Sequence, residues 1–113
     1  MNKENEVNIL KQEAEEENPL LLVLRKPYEF EGKDYKDVDL SGLDDLTAKD
    51  MIAVNRQLDR NGSTSFLPEM TLDYACTLAA RATKLPIEFF TGLHPKDAQK
   101  LKSKVTGFLY GSE

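Results

Sequence analysis

The sequence predicts an α+β fold: an N-terminal β-hairpin over about residues 20–40, followed by a bundle of three to four short α-helices. Two observations predict it. The stretch LLLVLRKPYEFEGKDYKDVDLSGL places apolar or aromatic residues against charged ones on either side of Gly32, the period-two pattern of paired strands. From Thr47 onward, apolar residues recur at steps of three and four, punctuated by Gly and Pro, the pattern of short amphipathic helices. The 113 residues are read as an acidic arm, 1–18, and a single α+β domain, 19–113.

The arm MNKENEVNILKQEAEEEN carries six glutamates against two lysines and so holds most of the net charge of −5. Its few apolar residues, Val7, Ile9 and Leu10, bury too little surface to offset the entropy of ordering. It is expected to act as a solvating tail, or else to dock VNILKQ on a partner or a second copy.

Order is expected to begin at the stretch NPLLLVLRKPYEF. Residues 20–24 form an aliphatic run between Pro19 and Pro27, too short for a helix and suited to a buried strand. Pro27 has no N–H for a ladder and calls for an edge position or a bulge. Gly32 supplies the positive φ of a tight turn. With Gly32-Lys33 at the turn centre Phe30 faces Tyr35; with Glu31-Gly32 there, Tyr28 does. Asp37 and Asp39 on the return strand read as solvated edge charges.

Thr47 is the expected N-cap of the first helix, with Asp50 three residues on, and Ala48, Met51, Ile52, Asn55 and Leu58 fall on one stripe at helical spacing. Asn61 and Gly62 end it. Thr71 caps the next helix, whose inner stripe is Leu72, Ala75, Cys76, Ala79 and Ala82. PIEFFTGL forms a third, short helix closed by Gly92. His94-Pro95 opens the last, with Ala98, Leu101, Val105, Phe108 and Leu109 inward. Lys96, Lys100 and Lys104 form a row read as a solvated face.

Composition narrows the function. An acidic chain repels phosphate backbones, so no nucleic-acid partner is expected. No run approaches the length of a membrane span, and the N-terminus has neither a signal-peptide core nor the basic character of a presequence. No membrane partner and a cytoplasmic location are therefore expected. One cysteine, Cys76, and one histidine, His94, leave no thiolate zinc set and no nucleophile–base pair. Asp44-Asp45 lacks the converging ligands of a hard-cation site. No catalytic residue, metal or cofactor is expected, and the chain reads as a binding protein.

Three pieces of the chain, in order, carry a resemblance. The first is a hairpin L-x-x-P-x-x-F-x-G-x-x-Y-x-x-V-x-L, formed by Leu24, Pro27, Phe30, Gly32, Tyr35, Val38 and Leu40. Next is an alanine-rich helix running into Leu85-Pro86. The third is a closing D-x-x-x-L-x-x-x-V-x-x-F helix, formed by Asp97, Leu101, Val105 and Phe108. Over roughly residues 20–110 the chain resembles the tail assembly chaperones of long-tailed bacteriophages and prophages. The acidic arm and the loop NGSTSFLPEM depart from that pattern.

The resemblance implies a protein of the bacterial host cytoplasm that binds and solubilises the tape measure protein, helps the tail tube protein assemble around it, and is absent from the mature virion. Homo-oligomers are compatible with that role. Side chains expected to meet a partner are Ile87, Phe89, Phe90, Leu93, Phe108, Leu109 and Tyr110, with Tyr28 and Tyr35 on the hairpin; the competing expectation is that they close the chain's own core. The alternative functions are a small acidic adaptor of antitoxin type and a structural component of the tail.

Overall fold

The computed structural model describes residues 17–62 and 65–111. The acidic arm, and with it VNILKQ, lies outside the described residues except for its last two positions. Among the described residues the order is β1 (Leu21–Phe30), β2 (Lys33–Asp39), α1 (Ala48–Arg60), α2 (Leu72–Thr83), α3 (Ile87–Thr91) and α4 (Pro95–Tyr110). Single 3-10 turns lie at Ser41–Asp45 and Pro68–Met70. The fold is α+β, a β-hairpin followed by four helices.

β1 and β2 pair antiparallel with Tyr28 opposite Tyr35 and Phe30 opposite Lys33. This selects the register with Glu31-Gly32 at the turn centre. Both residues have positive φ, +50° and +79°, as the hairpin turn that follows the twist of its strands requires. Glycine takes that conformation freely, whereas Glu31 takes it against its Cβ.

The ladder breaks where Pro27 predicts a bulge. Between the pairs Val23–Asp37 and Tyr28–Tyr35, residues 24–27 of β1 stand against Lys36 alone. The backbone groups freed there bond to α4. Arg25 N–H donates to Asp97 Oδ1 at 3.1 Å, and Lys100 Nζ donates to Val23 O at 3.0 Å. One turn on, Lys104 Nζ donates to Pro19 O at 3.1 Å. Positions 97, 100 and 104 share one helical face, so that face is stitched to the strand. The lysine row is not simply a solvated face: Lys100 holds a carbonyl of β1 and Lys104 that of Pro19, just ahead of the strand.

The first 3-10 turn begins where Asp39 accepts hydrogen bonds from Ser41 N–H and Oγ–H. Those bonds hold the Asp39 carboxyl below its ordinary value, so Asp39 is more than an edge charge. Thr47 starts α1 as expected, its N–H donating to Asp50 Oδ2 at 2.8 Å. The buried stripe of α1 is displaced from expectation. Val54 and Leu58 are buried, Met51 packs against the core, and Ile52 and Ala48 face outward.

Helix α2 is the centre of the molecule, in contact with α1, α3, α4 and both 3-10 turns. Tyr74, Ala75, Cys76, Thr77, Leu78 and Ala79 are all buried, so the helix is enclosed on all sides rather than along one stripe. Thr71 Oγ1 accepts from Tyr74 N–H at 3.1 Å and caps its start. Lys84, at φ +63°, ends it ahead of Leu85-Pro86. His94 caps α4, its Nδ1 accepting from Lys96 N–H at 3.1 Å. Leu22, Leu24, Val38 and Leu40 of the hairpin, Leu43, and the inner faces of all four helices meet in one core.

Candidate partner-binding surface

The short helix α3 owes its place to an aromatic cluster. Phe89, 0% exposed, is surrounded by the rings of Tyr28, Phe30, Tyr35 and Phe90, with centroids 5.1, 5.2, 4.8 and 5.0 Å away. All four approach edge-on, the favoured geometry for aromatic pairs. Tyr28 O–H donates to Phe89 O at 2.9 Å, and burial raises its phenol above the ordinary value. The hairpin's aromatic face is therefore spent on anchoring α3 to the domain. Phe89, Phe90 and Leu93 are sealed in the core, while Tyr28 and Tyr35 are half-buried beside them.

The remaining expected contact residues lie elsewhere. Ile87 is half-buried on the wall of a cleft of ≈ 450 Å³ that also exposes edges of Leu58, Cys76 and Thr77. Phe108 and Leu109 are half-buried at the end of α4, and Tyr110 is 58% exposed. These are brought to two places, with the aromatic cluster apart from both.

The structure adds side chains that the sequence reading left as a connecting loop. Phe66 is fully exposed, Leu67 58% and Met70 42%. Their loop folds as the 3-10 turn Pro68–Met70 against α2 and α4. Glu69 of that turn lies beside the Tyr110 phenol at the end of α4. Desolvation and that carboxylate both raise the Tyr110 phenol. Beneath them Tyr74 is buried, its phenol raised by desolvation and then by Tyr110 and Glu69. Phe66, Leu67, Met70 and Tyr110 thus form an apolar end on this face of the molecule. The signal for it was available: a PheLeuPro sequence outside any helical stripe has no core face to join.

The Cys76 thiol is buried and pushed up to about 11, chiefly by desolvation and then by Asp73, which suits a small core residue rather than a nucleophile. Among the described residues no group of three or more His, Cys, Asp or Glu side chains could hold a metal ion. Among them, too, no helix is long and apolar enough to cross a membrane.

What the fold presents is a small helical scaffold, braced by a hairpin, with large apolar side chains left outside its core: the class is that of a binding protein. A family model, described as phage tail assembly chaperone proteins, E, or 41 or 14, matches residues 21–110, and the chain belongs to that family. No curated protein and no solved structure matches it.

Proposed function

We propose that this chain binds the tape measure protein in the host cytoplasm and keeps its apolar stretches in solution. The tail tube protein then assembles around the tape measure, and the chaperone is left out of the finished virion. The observation that carries this reading is the family match across residues 21–110, which takes in the hairpin and all four helices. The apolar end supports it. Phe66, Leu67, Met70 and Tyr110 offer a surface for an amphipathic segment, and Phe108 and Leu109 extend it. A net charge of −5 keeps a coated filament soluble. In this reading Tyr28, Tyr35, Phe89, Phe90 and Leu93 hold the scaffold that presents the surface, and Ile87 contributes from the cleft.

Co-expression with the tape measure protein tests it. The native chain should raise the soluble fraction of tape measure protein and co-purify with it. Phe66→Ser/Leu67→Ser/Tyr110→Ser should fold with an unchanged melting temperature and lose most of that effect. A tape measure protein that stays insoluble beside the native chain would refute the function. Finding the chain by mass spectrometry in purified virions would favour a structural tail component instead.

A further inference from the structure

We propose that β2 pairs edge to edge, antiparallel, with β2 of a second copy of this chain, about a two-fold axis at Tyr35. Among the described residues the sheet consists of β1 and β2 alone. The outer edge of β1 is taken: Arg25 N–H donates to Asp97 Oδ1, and Val23 O accepts from Lys100 Nζ. That of β2 is open. The two-residue turn closes on Phe30 and Lys33 as a bonded pair, so Asp34, opposite Glu29, turns its N–H and C=O away from β1. Alternation sets Lys36 the same way. Among the described residues no backbone group outside the hairpin bonds to either one.

An open edge is a template for another strand, and charged side chains on it usually prevent pairing. Here the charges leave one partner and one register. β2 reads Lys33-Asp34-Tyr35-Lys36-Asp37-Val38-Asp39. With Tyr35 facing Tyr35 of the second copy, Lys33 faces Asp37 and Asp34 faces Lys36, each twice by symmetry. Every charge from 33 to 37 then meets its opposite. Sliding by one residue sets Lys33 against Lys36 or Asp34 against Asp37. Sliding by two sets Asp34 or Lys36 against itself. Parallel pairing in register sets each charge against its like. Opposite charges across strands stabilise a pair and like charges destabilise it, so the edge is complementary to itself in the one arrangement.

The side chains concerned are available for it. Lys33, Asp34, Lys36 and Asp37 are exposed. Among the described residues the side chains of Asp34, Lys36 and Asp37 make no hydrogen bond or ion pair. Lys33 Nζ lies over the Tyr35 ring, 5.2 Å from its centroid. Because the same edge serves both copies, the contact closes as a dimer and builds no filament. The strip is short, so the dimer is weak and depends on concentration. Its four strands, in the order β1-β2-β2-β1, join two copies of the apolar end in one assembly, so that one tape measure chain can be held twice. That consequence rests on the function proposed above, whereas the pairing does not.

Sedimentation equilibrium of the full chain from about 10 µM to about 1 mM tests the pairing. The native chain should pass from monomer to dimer within that range. Lys36→Asp and Asp34→Lys each turn two attractive pairs into repulsive ones and should each weaken the dimer at least about tenfold. The double variant Asp34→Lys/Lys36→Asp restores opposite charges in the same register and should return to within about threefold of the native chain. All three should melt as the native chain does. In a mixed sample of labelled and unlabelled native chains, an NOE should join Tyr35 Hα to Tyr35 Hα across the two-fold axis. A native chain that is still monomeric at about 1 mM overturns the proposal. So does a dimer that both single variants leave intact, which would move the contact to the apolar end, and so does a double variant that fails to restore it. If the dimer behaves as expected and the chain captures no tape measure protein, the failure belongs to the proposed function and the pairing stands.

Discussion

Asp97 ties the last helix to the bulge that Pro27 imposes, and its removal should be among the costliest single changes on α4. The side chain is 5% exposed and accepts the Arg25 N–H at 3.1 Å, at a point where the ladder to β2 is interrupted. Asp97→Ala leaves that N–H without its acceptor, a loss of about 1–3 kcal/mol. It also removes a negative charge from the first turn of α4, worth about 0.3–1 kcal/mol. Together these predict a destabilisation of about 1–4 kcal/mol. At about 4 °C per kcal/mol for a chain of this size, the melting temperature falls by about 5–16 °C.

Asp97→Asn keeps an acceptor oxygen and loses only the charge, so it should cost about 1 kcal/mol. Circular dichroism with urea and heat at pH 7 gives both values. Hydrogen exchange supplies the direct reading: the Arg25 amide should lose protection in Asp97→Ala and retain most of it in Asp97→Asn. An alanine variant within 0.5 kcal/mol of the native chain, a margin typical of surface substitutions, would refute the argument. So would an Arg25 amide that exchanges no faster.

Other changes test other parts of the fold. Glu31→Asn should stabilise the hairpin by about 0.5–1 kcal/mol, because asparagine accepts the φ of +50° more readily than glutamate; a urea titration with unchanged slope would show it. The Cys76 thiol should resist alkylation in the native chain at pH 8 and react fully in urea. Its folded value of about 11 lies above the ordinary 9.0. Stability from this group is therefore complete below pH 9 and falls as the pH rises toward 11, where the unfolded chain has already released its proton. Asp50 has the opposite sign. Its carboxyl is held below 3.8, first by the Thr47 N–H and then by Arg81, which approaches at 2.6 Å. Its contribution is present above that pH and is lost as acid titrates the folded carboxylate, so Asp50→Asn should flatten the acid limb of the stability profile.

The motif positions that gave the resemblance proved to be mostly those that build the fold. Leu24, Val38, Leu40, Leu101 and Val105 are buried, Gly32 carries the turn, and Asp97 anchors the bulge. Such positions are readable because their patterns are local: alternation in strands, steps of three and four in helices, and a cap residue before each helix. The binding surface was less readable. Phe89 and Phe90 look alike whether a short helix offers them to a partner or folds them under a hairpin. Only the approach of Tyr28, Phe30 and Tyr35 separates the two. Ile52 and Val54 both stand near the helical stripe of α1, and its contact with α2 decides which is buried.

By itself the sequence determined the class of fold, the order of its elements and the helix starts at Thr47, Thr71 and His94, and it limited Pro27 to an edge position or a bulge. Each follows from backbone sterics and hydrogen bonding within a few residues. Tertiary structure decided the turn register, the enclosure of α2, the role of Asp97, Lys100 and Lys104 along β1, and which large apolar groups remain outside. Those depend on contacts between residues as far apart as Pro19 and Lys104, where the burial of one surface is set by the shape of another.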